Sequence, residues 1–352
     1  MRLTVLNVAF PLAPVGPDAV GGAEQVLSLL DRALVEAGHR SIVLACEGSR
    51  TRGELVSVPR SEAPLDDDAV RRARERHARA LFEILCHREI DVVHLHGIDF
   101  HTYLPPPGVP VLATLHLPID WYQREALHPA RPGTWLQCVS ARQHGNCGPN
   151  PRVLAPIENG VPVGPFRPRT KRNFALMLSR ICAEKGIHGA IDAAKRAGIP
   201  LLIAGELYAY AEHARYFHCE VAPRLDEKRR FIGPIGGTRK QRLLSAARCL
   251  LVASRVAETS SLAAREALAA GTPVIANAVG ALMDTVEHGK TGFLVRNEVE
   301  MTEAIGRAGD IDPHQCWRAA RKRFAAEPMI ARYLELYARL AGSQPRVAAG
   351  AQ

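Results

Sequence analysis

Short apolar runs alternate with helical patterns along most of the chain. In the first half, an apolar run at residues 2–10 precedes a loop rich in proline and glycine, a helical pattern at 24–38 and a second apolar run at 41–46. A strand, a helix and a second strand in this order form the β-α-β unit of a parallel sheet. Apolar runs at 91–97 and 109–116, each ending in glycine or histidine, extend the predicted sheet.

The same order of elements begins again in the second half. Residues 174–179 form an apolar run, 187–197 a helical pattern and 201–204 another apolar run. The segment between the halves, 162–171, is rich in proline and basic residues, a composition typical of interdomain linkers. We therefore predict an α/β protein with two Rossmann-like parallel-sheet domains that face each other across a cleft.

We place these two domains at residues 1–165 and 166–325. The pattern that closes the chain is helical over 316–341, with a break predicted near Pro328 because proline interrupts a helix. The last segment, 342–352, is small and polar and is predicted to be disordered.

Three other segments have weaker or more polar patterns. Residues 50–66 predict an irregular loop, and 207–227 predict a longer mobile segment. Residues 66–90 predict a charged helix whose leading aspartates suit the positive end of the helix dipole. The arginine run at 71–79 indicates a solvated helix face, or a patch that faces a membrane surface or a partner.

The stretch 257–277 predicts a loop, a helix, a turn and a strand. Glu258 lies in the loop. Three hydroxyl residues that can cap the helix follow it: Thr259, Ser260 and Ser261. The helix would begin at about Leu262 with free amides and a positive dipole end, which suit a phosphate.

Within this helix, Glu266 shares a stripe with Leu262 and Ala270 at i, i+4 spacing. We therefore predict that Glu266 leans inward and that Arg265 points elsewhere. A buried carboxylate needs hydrogen-bond partners, which a pair of ligand hydroxyls would supply. The alternative is a surface helix with two solvated glutamates.

Composition limits the class of protein. The 352 residues are 47% hydrophobic, and no apolar run approaches the roughly 18 to 20 residues of a membrane span. The first apolar run predicts a buried strand rather than a signal peptide. Eight scattered cysteines without a C-x-x-C pair argue against a zinc site or a disulfide framework and for a reducing cytosol. A net charge of +9 permits anionic partners, but an aromatic content of 5% does not favour nucleic acid.

Candidate functional side chains lie where predicted strands end. Arg180 and Lys185 follow the first strand of the second half and would bind phosphate oxygens. His96 and His116 end two strands of the first half, on the ligand-bearing edge of such a sheet. Two aromatic residues in the loop that follows are candidates for contact with an acceptor: Trp121 and Tyr122.

Taken together, these motifs resemble the retaining glycosyltransferases of family 4, which have the GT-B fold. The resemblance covers nearly the whole chain. Its motifs are G-G-A-E at 21–24, the strands ending at His96 and His116, N-G-V at 159–161, S-R-x-x-x-E-K-G at 179–186, Glu258-x7-Glu266 with E-A-L-A-A-G-T-P-V-I-A, and G-K-T-G-F-L-V at 289–295.

The resemblance implies that a nucleotide-diphosphate sugar binds mainly to the second domain. Glu266 would accept hydrogen bonds from the ribose hydroxyls, and Arg180 and Lys185 would neutralise the diphosphate. The amides around Ser261 and Leu262 would bind its oxygens. The first domain would hold the acceptor, and the final helix, 326–341, would cross back onto that domain.

The resemblance also places residues around the sugar and the base. Glu258 and His116 would be the catalytic residues that contact the donor sugar near the reacting carbon. Gly22 would let the first domain approach the donor, and Gly205 and the loop near Ile235 would lie in the donor site. The resemblance favours UDP or GDP as the nucleotide, with no metal and no cofactor.

The sequence departs from the family in one place and leaves alternatives open. Many members have Pro-Phe-Gly after the first glutamate, where this chain has hydroxyl residues at 259–261 that would bind phosphate or sugar oxygens. The favoured function is a glycosyltransferase of glycan, glycolipid or natural-product biosynthesis, acting in the cytoplasm or at the inner membrane face. The alternative is a non-catalytic sugar-nucleotide-binding or membrane-associated protein. The acceptor (a sugar, a lipid-linked sugar or another small molecule) is left open.

Overall fold

Two parallel β-sheets organise the part of the chain that the computed structural model describes, residues 2–61, 64–167 and 169–342. The strands of the first sheet are β1 (Thr4–Val8), β2 (Arg40–Cys46), β3 (Glu54–Val58), β4 (Val92–Leu95), β5 (Val111–Leu115), β6 (Thr134–Cys138) and β7 (Val153–Leu154). They lie in the order β3-β2-β1-β4-β5-β6-β7, and every pairing is parallel.

The second sheet repeats this arrangement. Its strands are β8 (Ala175–Leu178), β9 (Leu201–Ala204), β10 (Arg229–Phe231), β11 (Cys249–Val252), β12 (Val274–Asn277) and β13 (Gly292–Val295), in the parallel order β10-β9-β8-β11-β12-β13. In both sheets the chain runs first to one side and then to the other, which leaves a crevice at the carboxyl ends of the strands. The predicted α/β class with two Rossmann-like domains is confirmed.

Helices connect the strands and cover the sheets. They are α1 (Gly22–Glu36), α2 (Asp67–His87), α3 (Arg124–Leu127), α4 (Ala141–Gly145), α5 (Ile187–Arg196), α6 (Ala211–Tyr216), α7 (Gly237–Ala246), α8 (Leu262–Ala269), α9 (Leu282–Thr285), α10 (Glu298–Arg307), α11 (Pro313–Arg323) and α12 (Ala326–Gly342). Because helices lie on both faces, the central strands are buried throughout, which explains their continuous apolar sequences. In the described ranges, no helix is both long and apolar enough to span a bilayer.

The prediction of an irregular segment at 50–66 was wrong in part. Residues 54–58 form β3, which pairs with β2 at the edge of the first sheet, while 62 and 63 lie outside the described residues. Only Val58 of this strand is buried. An edge strand needs no continuous apolar run, and the short mixed sequence E-L-V-S-V does not mark a strand.

The prediction of a mobile segment at 207–227 was also wrong. Residues 211–216 form α6, which continues through a π-turn and a short 3₁₀ turn to Arg224. Its aromatic residues anchor it. The hydroxyl of Tyr216 lies 2.8 Å from Nδ1 of His188, and the rings of Phe217 and Phe231 are 5.3 Å apart.

The closing helix is interrupted at a different residue from the one predicted. The break falls at Phe324 and Ala325, and Pro328 lies in the first turn of α12, where its missing N–H costs no hydrogen bond. The backbone of Val161 bridges the break with two hydrogen bonds. Its carbonyl accepts from the amide of Ala326 at 3.0 Å, and its amide donates to the carbonyl of Phe324 at 2.8 Å. Gly342, the first residue of the predicted disordered tail, ends α12, and 343–352 lie outside the described residues.

Helix α12 then packs on the first sheet through two buried tyrosines. The hydroxyl of Tyr337 lies 2.7 Å from Nδ1 of His94, and that of Tyr333 lies 3.2 Å from Oγ1 of Thr114. The last helix of the chain therefore contacts the domain in which the chain began.

The basic run of α2 contacts the protein itself at several points. Arg74 forms an ion pair with the buried Asp99 at 2.8 Å, and Arg76 donates to Ser61 at 2.9 Å. Arg71 pairs with acidic neighbours on its own helix. These contacts leave fewer cations for a membrane or a partner than the sequence suggested.

Arg265 was predicted to point elsewhere than the inward-leaning Glu266, but it is itself buried. It lies on α8 with only 2% of its side chain exposed. Its guanidinium donates to the carbonyl of Asn159 and to Oε2 of Glu158 at 3.0 Å, and it lies over the ring of Phe324, 4.6 Å from the centroid. This one side chain therefore connects the second domain to the segment that leaves the first.

We predict that Arg265→Ala lowers the free energy of unfolding by about 3 kcal/mol, because it removes a large buried side chain that packs on Phe324 and takes a donor from the carbonyl of Asn159. Chemical denaturation measures the change. The control is Arg242→Ala, which removes an exposed arginine of α7 and should alter stability by less than about 0.5 kcal/mol. Equal effects of the two substitutions would contradict the structural role of Arg265.

Candidate active site

A cavity of about 480 Å³ lies between the two sheets, at the carboxyl ends of their strands. All the site residues predicted from sequence line it: Gly22, His116, Trp121, Tyr122, Arg180, Lys185, Gly205, Ile235, Glu258, Thr259, Ser260, Ser261, Leu262 and Glu266. The loops that follow β1, β4 and β5 form one wall, and those that follow β8, β9 and β11 form the other.

Two lysines on the second-domain wall are already paired with the two predicted glutamates. Nζ of Lys185 lies 2.6 Å from Oε1 of Glu258, and Nζ of Lys240 lies 2.6 Å from Oε1 of Glu266. Arg180 forms no ion pair with any described residue, although it points into the same cavity. A cation without a protein partner, next to two paired ones, is suited to bind an anion.

Glu258 is held as a carboxylate in spite of its burial. Burial alone would raise its pKa, but the charge of Lys185 and hydrogen bonds from Lys185 and Ser254 outweigh that effect and lower it. The group therefore carries a negative charge at neutral pH. In that state it can accept hydrogen bonds from a sugar or stabilise a developing positive charge.

The N-terminus of α8 opens into the cavity. Ser261 is the N-cap residue, but its side chain makes no capping hydrogen bond. It is also the one non-glycine residue with a positive φ (47°) in the part of the chain that the structure describes. Glycine suits this left-handed conformation, and a residue with a Cβ is strained there by about 1 kcal/mol. The uncapped helix end is an anion-binding geometry.

The other two hydroxyl residues contact the first domain. Thr259 donates to the carbonyl oxygen of His116 at 2.8 Å, and Oγ of Ser260 accepts from Asn159 at 2.9 Å. They close the gap between the domains at the end of the cavity. Their hydroxyls are therefore partly satisfied by the protein, and their contact with a ligand stays a prediction.

Two buried histidines and the partly buried His116 form a row beside the cavity. Nδ1 of His96 lies 3.0 Å from Nε2 of His116, and the centroids of the His94 and His96 rings lie 3.9 Å apart, with the rings tilted by 41°. Burial lowers the pKa of all three, that of His116 to about 3, so the row is neutral near pH 7. His116 therefore faces the cavity as a hydrogen-bonding imidazole and not as a cation.

The predicted glycines and aromatic residues shape the cavity. A Cβ at Gly205 would overlap the carbonyl of Ser179, and a Cβ at Gly22 would lie 3.4 Å from Leu262 of the other domain. Tyr122 is buried, and its hydroxyl accepts from the amide of Leu117 at 3.2 Å, while Trp121 is only partly covered.

Several ionisable residues of the cavity were not predicted as site residues, among them Lys240 and Glu24, the last residue of the G-G-A-E motif. Lys240 lies on α7, 26 residues before its partner Glu266, and no local pattern links the two. Glu24 lies in the first turn of α1, where an acidic residue usually indicates only a favourable interaction with the helix dipole. It is 7% exposed, and burial raises its pKa. Within the described ranges, no cluster of three candidate metal ligands occurs.

Comparison with known proteins agrees with this geometry. The family model described as "Glycosyl transferases group 1" matches residues 164–313, and that described as "Glycosyltransferase Family 4" matches residues 20–147. Glycogen synthase of Mycobacterium tuberculosis is 32% identical over 192 residues, which are 49% of this chain and 44% of that relative. The match thus spans less than half of the relative's length.

Two solved structures are similar over nearly the full length. AviGT4, a glycosyltransferase involved in avilamycin A biosynthesis, is 26% identical with a TM-score of 0.70, and the alignment covers 97% of this chain and 99% of that one. HepE from Anabaena in complex with UDP-glucose is 17% identical with a TM-score of 0.71, covering 96% and 100%. One family model matches each domain, and the two-domain architecture is shared from end to end. The chain therefore belongs to the family 4 glycosyltransferases with the GT-B fold.

Proposed function

We propose that the protein is a retaining glycosyltransferase that moves a sugar from a nucleotide-diphosphate sugar to an acceptor hydroxyl without a metal. One observation carries the proposal. Arg180, Lys185 and the uncapped N-terminus of α8 face the same cavity as Glu258 and Glu266. The first group suits a diphosphate, and the second suits the hydroxyls of a ribose and a sugar.

UDP is the nucleotide that we favour. The similar HepE structure contains UDP-glucose, which supports a uridine donor for this chain as well. The cavity of about 480 Å³ falls within the roughly 300–1,000 Å³ of typical small-molecule sites. We assign the ribose to Glu266, the diphosphate to Arg180 and Lys185, and the base to the loop at Ile235.

The charges at the site match those that glycosyl transfer develops. The bond from the anomeric carbon to the β-phosphate oxygen breaks, and negative charge collects on the leaving diphosphate near Arg180 and the α8 amides. Positive charge collects on the sugar, near the Glu258 carboxylate. In front-face attack, the acceptor oxygen bonds the same face of the carbon, and its proton passes to the leaving phosphate.

A second candidate, a sugar-nucleotide-binding protein without transfer activity, is favoured by the strained Ser261 in place of the family's glycine. Incubation with UDP-, GDP-, ADP- and dTDP-sugars, followed by assay of the released nucleotide diphosphate, separates the two candidates. Release by one donor class is expected. Binding without release from any of the four would favour the binder.

We predict that Arg180→Ala weakens binding of UDP about 10- to 100-fold, because a hydrogen bond to a charged group contributes about 1.5–3 kcal/mol. Isothermal titration calorimetry measures the affinity. The matched control is Arg255→Ala, which removes an exposed arginine that does not line the cavity and should leave UDP binding unchanged. If UDP binds Arg180→Ala as tightly as the wild type, the diphosphate lies elsewhere.

The ribose assignment gives a separate prediction. Glu266→Ala should weaken UDP binding about tenfold but leave the affinity for 2′,3′-dideoxy-UDP unchanged, since that analogue lacks both hydroxyls. The analogue also cancels any general effect of leaving Lys240 unpaired. An equal loss for both ligands would show that Glu266 acts through charge or packing and not through the ribose.

A further inference from the structure

The two walls of the cavity differ in charge. All three basic residues that line it belong to the second domain: Arg180, Lys185 and Lys240. The first-domain wall contributes no lysine or arginine among its described residues, and Glu24 is its one carboxylate. The histidines on that wall are neutral near pH 7. An anionic group on the first-domain side would therefore find no cation on its own wall, and the cation that acts on this side is Arg180 of the second domain.

A donor would use the cations that the second domain supplies. Five carboxylates line the cavity against the three cations: Glu24, Glu184, Glu212, Glu258 and Glu266. Lys185 and Lys240 already have carboxylate partners. A diphosphate would therefore pair with Arg180 and share Lys185 with Glu258. No cation is left over for a second anionic ligand.

The carboxylate oxygens of Glu24 can accept further hydrogen bonds. More than nine-tenths of the residue is buried, and its carboxylate is folded back against Gly21, where a Cβ would overlap it. Burial raises the pKa of this carboxyl, and a hydrogen bond from its own backbone amide and the charge of Arg180 in the other domain only partly offset that effect. A buried carboxylate with so few donors is costly unless a ligand supplies more.

The rest of the first-domain wall is apolar and aromatic. It includes Phe10, Leu12, Ile98 and the partly exposed Trp121. An apolar wall that contains one hydrogen-bonding carboxylate suits the face and the hydroxyls of a sugar or a cyclitol.

From this wall we infer the class of acceptor: a hydroxyl compound without a phosphate or carboxylate group, bound through a hydroxyl that donates to Glu24. This inference rests on the proposed function and extends it. A phosphorylated sugar or a lipid-linked phosphate would place its charge against Glu24, where the diphosphate of the donor already occupies Arg180. Glu24 binds the acceptor but need not take its proton, which passes to the leaving diphosphate as the new glycosidic bond forms.

The test uses matched pairs of probes with the UDP-saturated protein. The pairs are glucose and glucose 6-phosphate, fructose and fructose 6-phosphate, and myo-inositol and myo-inositol 1-phosphate. Ligand-observed NMR titration gives the affinity of each probe without requiring the natural donor sugar. We expect at least one uncharged probe to bind, and its phosphate ester to bind at least tenfold more weakly. Binding of the phosphate esters alone, or of no uncharged probe, would overturn the inference.

Variants of α1 identify the residue responsible. Glu24→Gln should weaken binding of the uncharged probe about tenfold without weakening the binding of UDP, whereas a general loss of structure would weaken both. Glu36→Gln, at the exposed end of the same helix, is the matched control and should change neither affinity. Unchanged probe binding by Glu24→Gln would remove Glu24 from the acceptor site.

Measurement of nucleotide affinity distinguishes failure of the proposed function from failure of the acceptor inference alone. If the wild-type protein binds none of UDP, GDP, ADP and dTDP, the proposed function fails, and this inference fails with it. If a nucleotide binds but the uncharged probes do not, the inference alone fails.

Discussion

A buried guanidinium has to be paired, and that requirement at Arg265 fixes how the two domains meet. Its partners Glu158 and Asn159 lie in the segment that leaves the first domain, and Phe324 lies where α11 ends. Removal of the Glu158 carboxylate would leave the buried guanidinium without its ion-pair partner. The same segment donates from Asn159 to Ser260, one residue before the N-cap of α8. The helix that carries the site is therefore held relative to both domains at its start.

The charged side chains of the cavity are paired as well, but a bound ligand can replace their partners. Lys185 and Lys240 are partly buried, and each is stabilised by a glutamate 2.6 Å away. A diphosphate that reaches Lys185 finds a lysine that is already largely out of water and already ordered. Binding then requires less reorganisation of the lysine than at a mobile surface lysine, so the site is preorganised. Arg180, without a carboxylate partner, gives the site its remaining attraction for an anion.

The fold and most of the site could be predicted because both follow from local rules. Arg180, His116 and Gly205 each follow a buried parallel strand, and the carboxyl ends of parallel strands meet at one edge. No local rule places Lys240 against Glu266, because the pair joins two helices whose approach depends on the whole second domain. Arg265 was misjudged for a related reason. Helix α8 is covered on more than one side, so a single apolar stripe does not define its buried surface.

The three hydroxyl residues after Glu258 show how the family's geometry is kept with different side chains. The backbone at Ser261 is left-handed, as a glycine would allow, and the strain persists because neighbouring contacts determine it. Thr259 bonds to the carbonyl of His116, and Ser260 bonds to Asn159, so both residues before Ser261 are held by the other domain. These two hydrogen bonds fix the approach to the α8 N-terminus and leave its amides directed at the cavity. With hydroxyl residues in place of Pro-Phe-Gly, the chain lacks the conformational freedom of the glycine but gains two hydrogen bonds to the other domain. The N-terminus of α8 keeps the geometry that suits an anion.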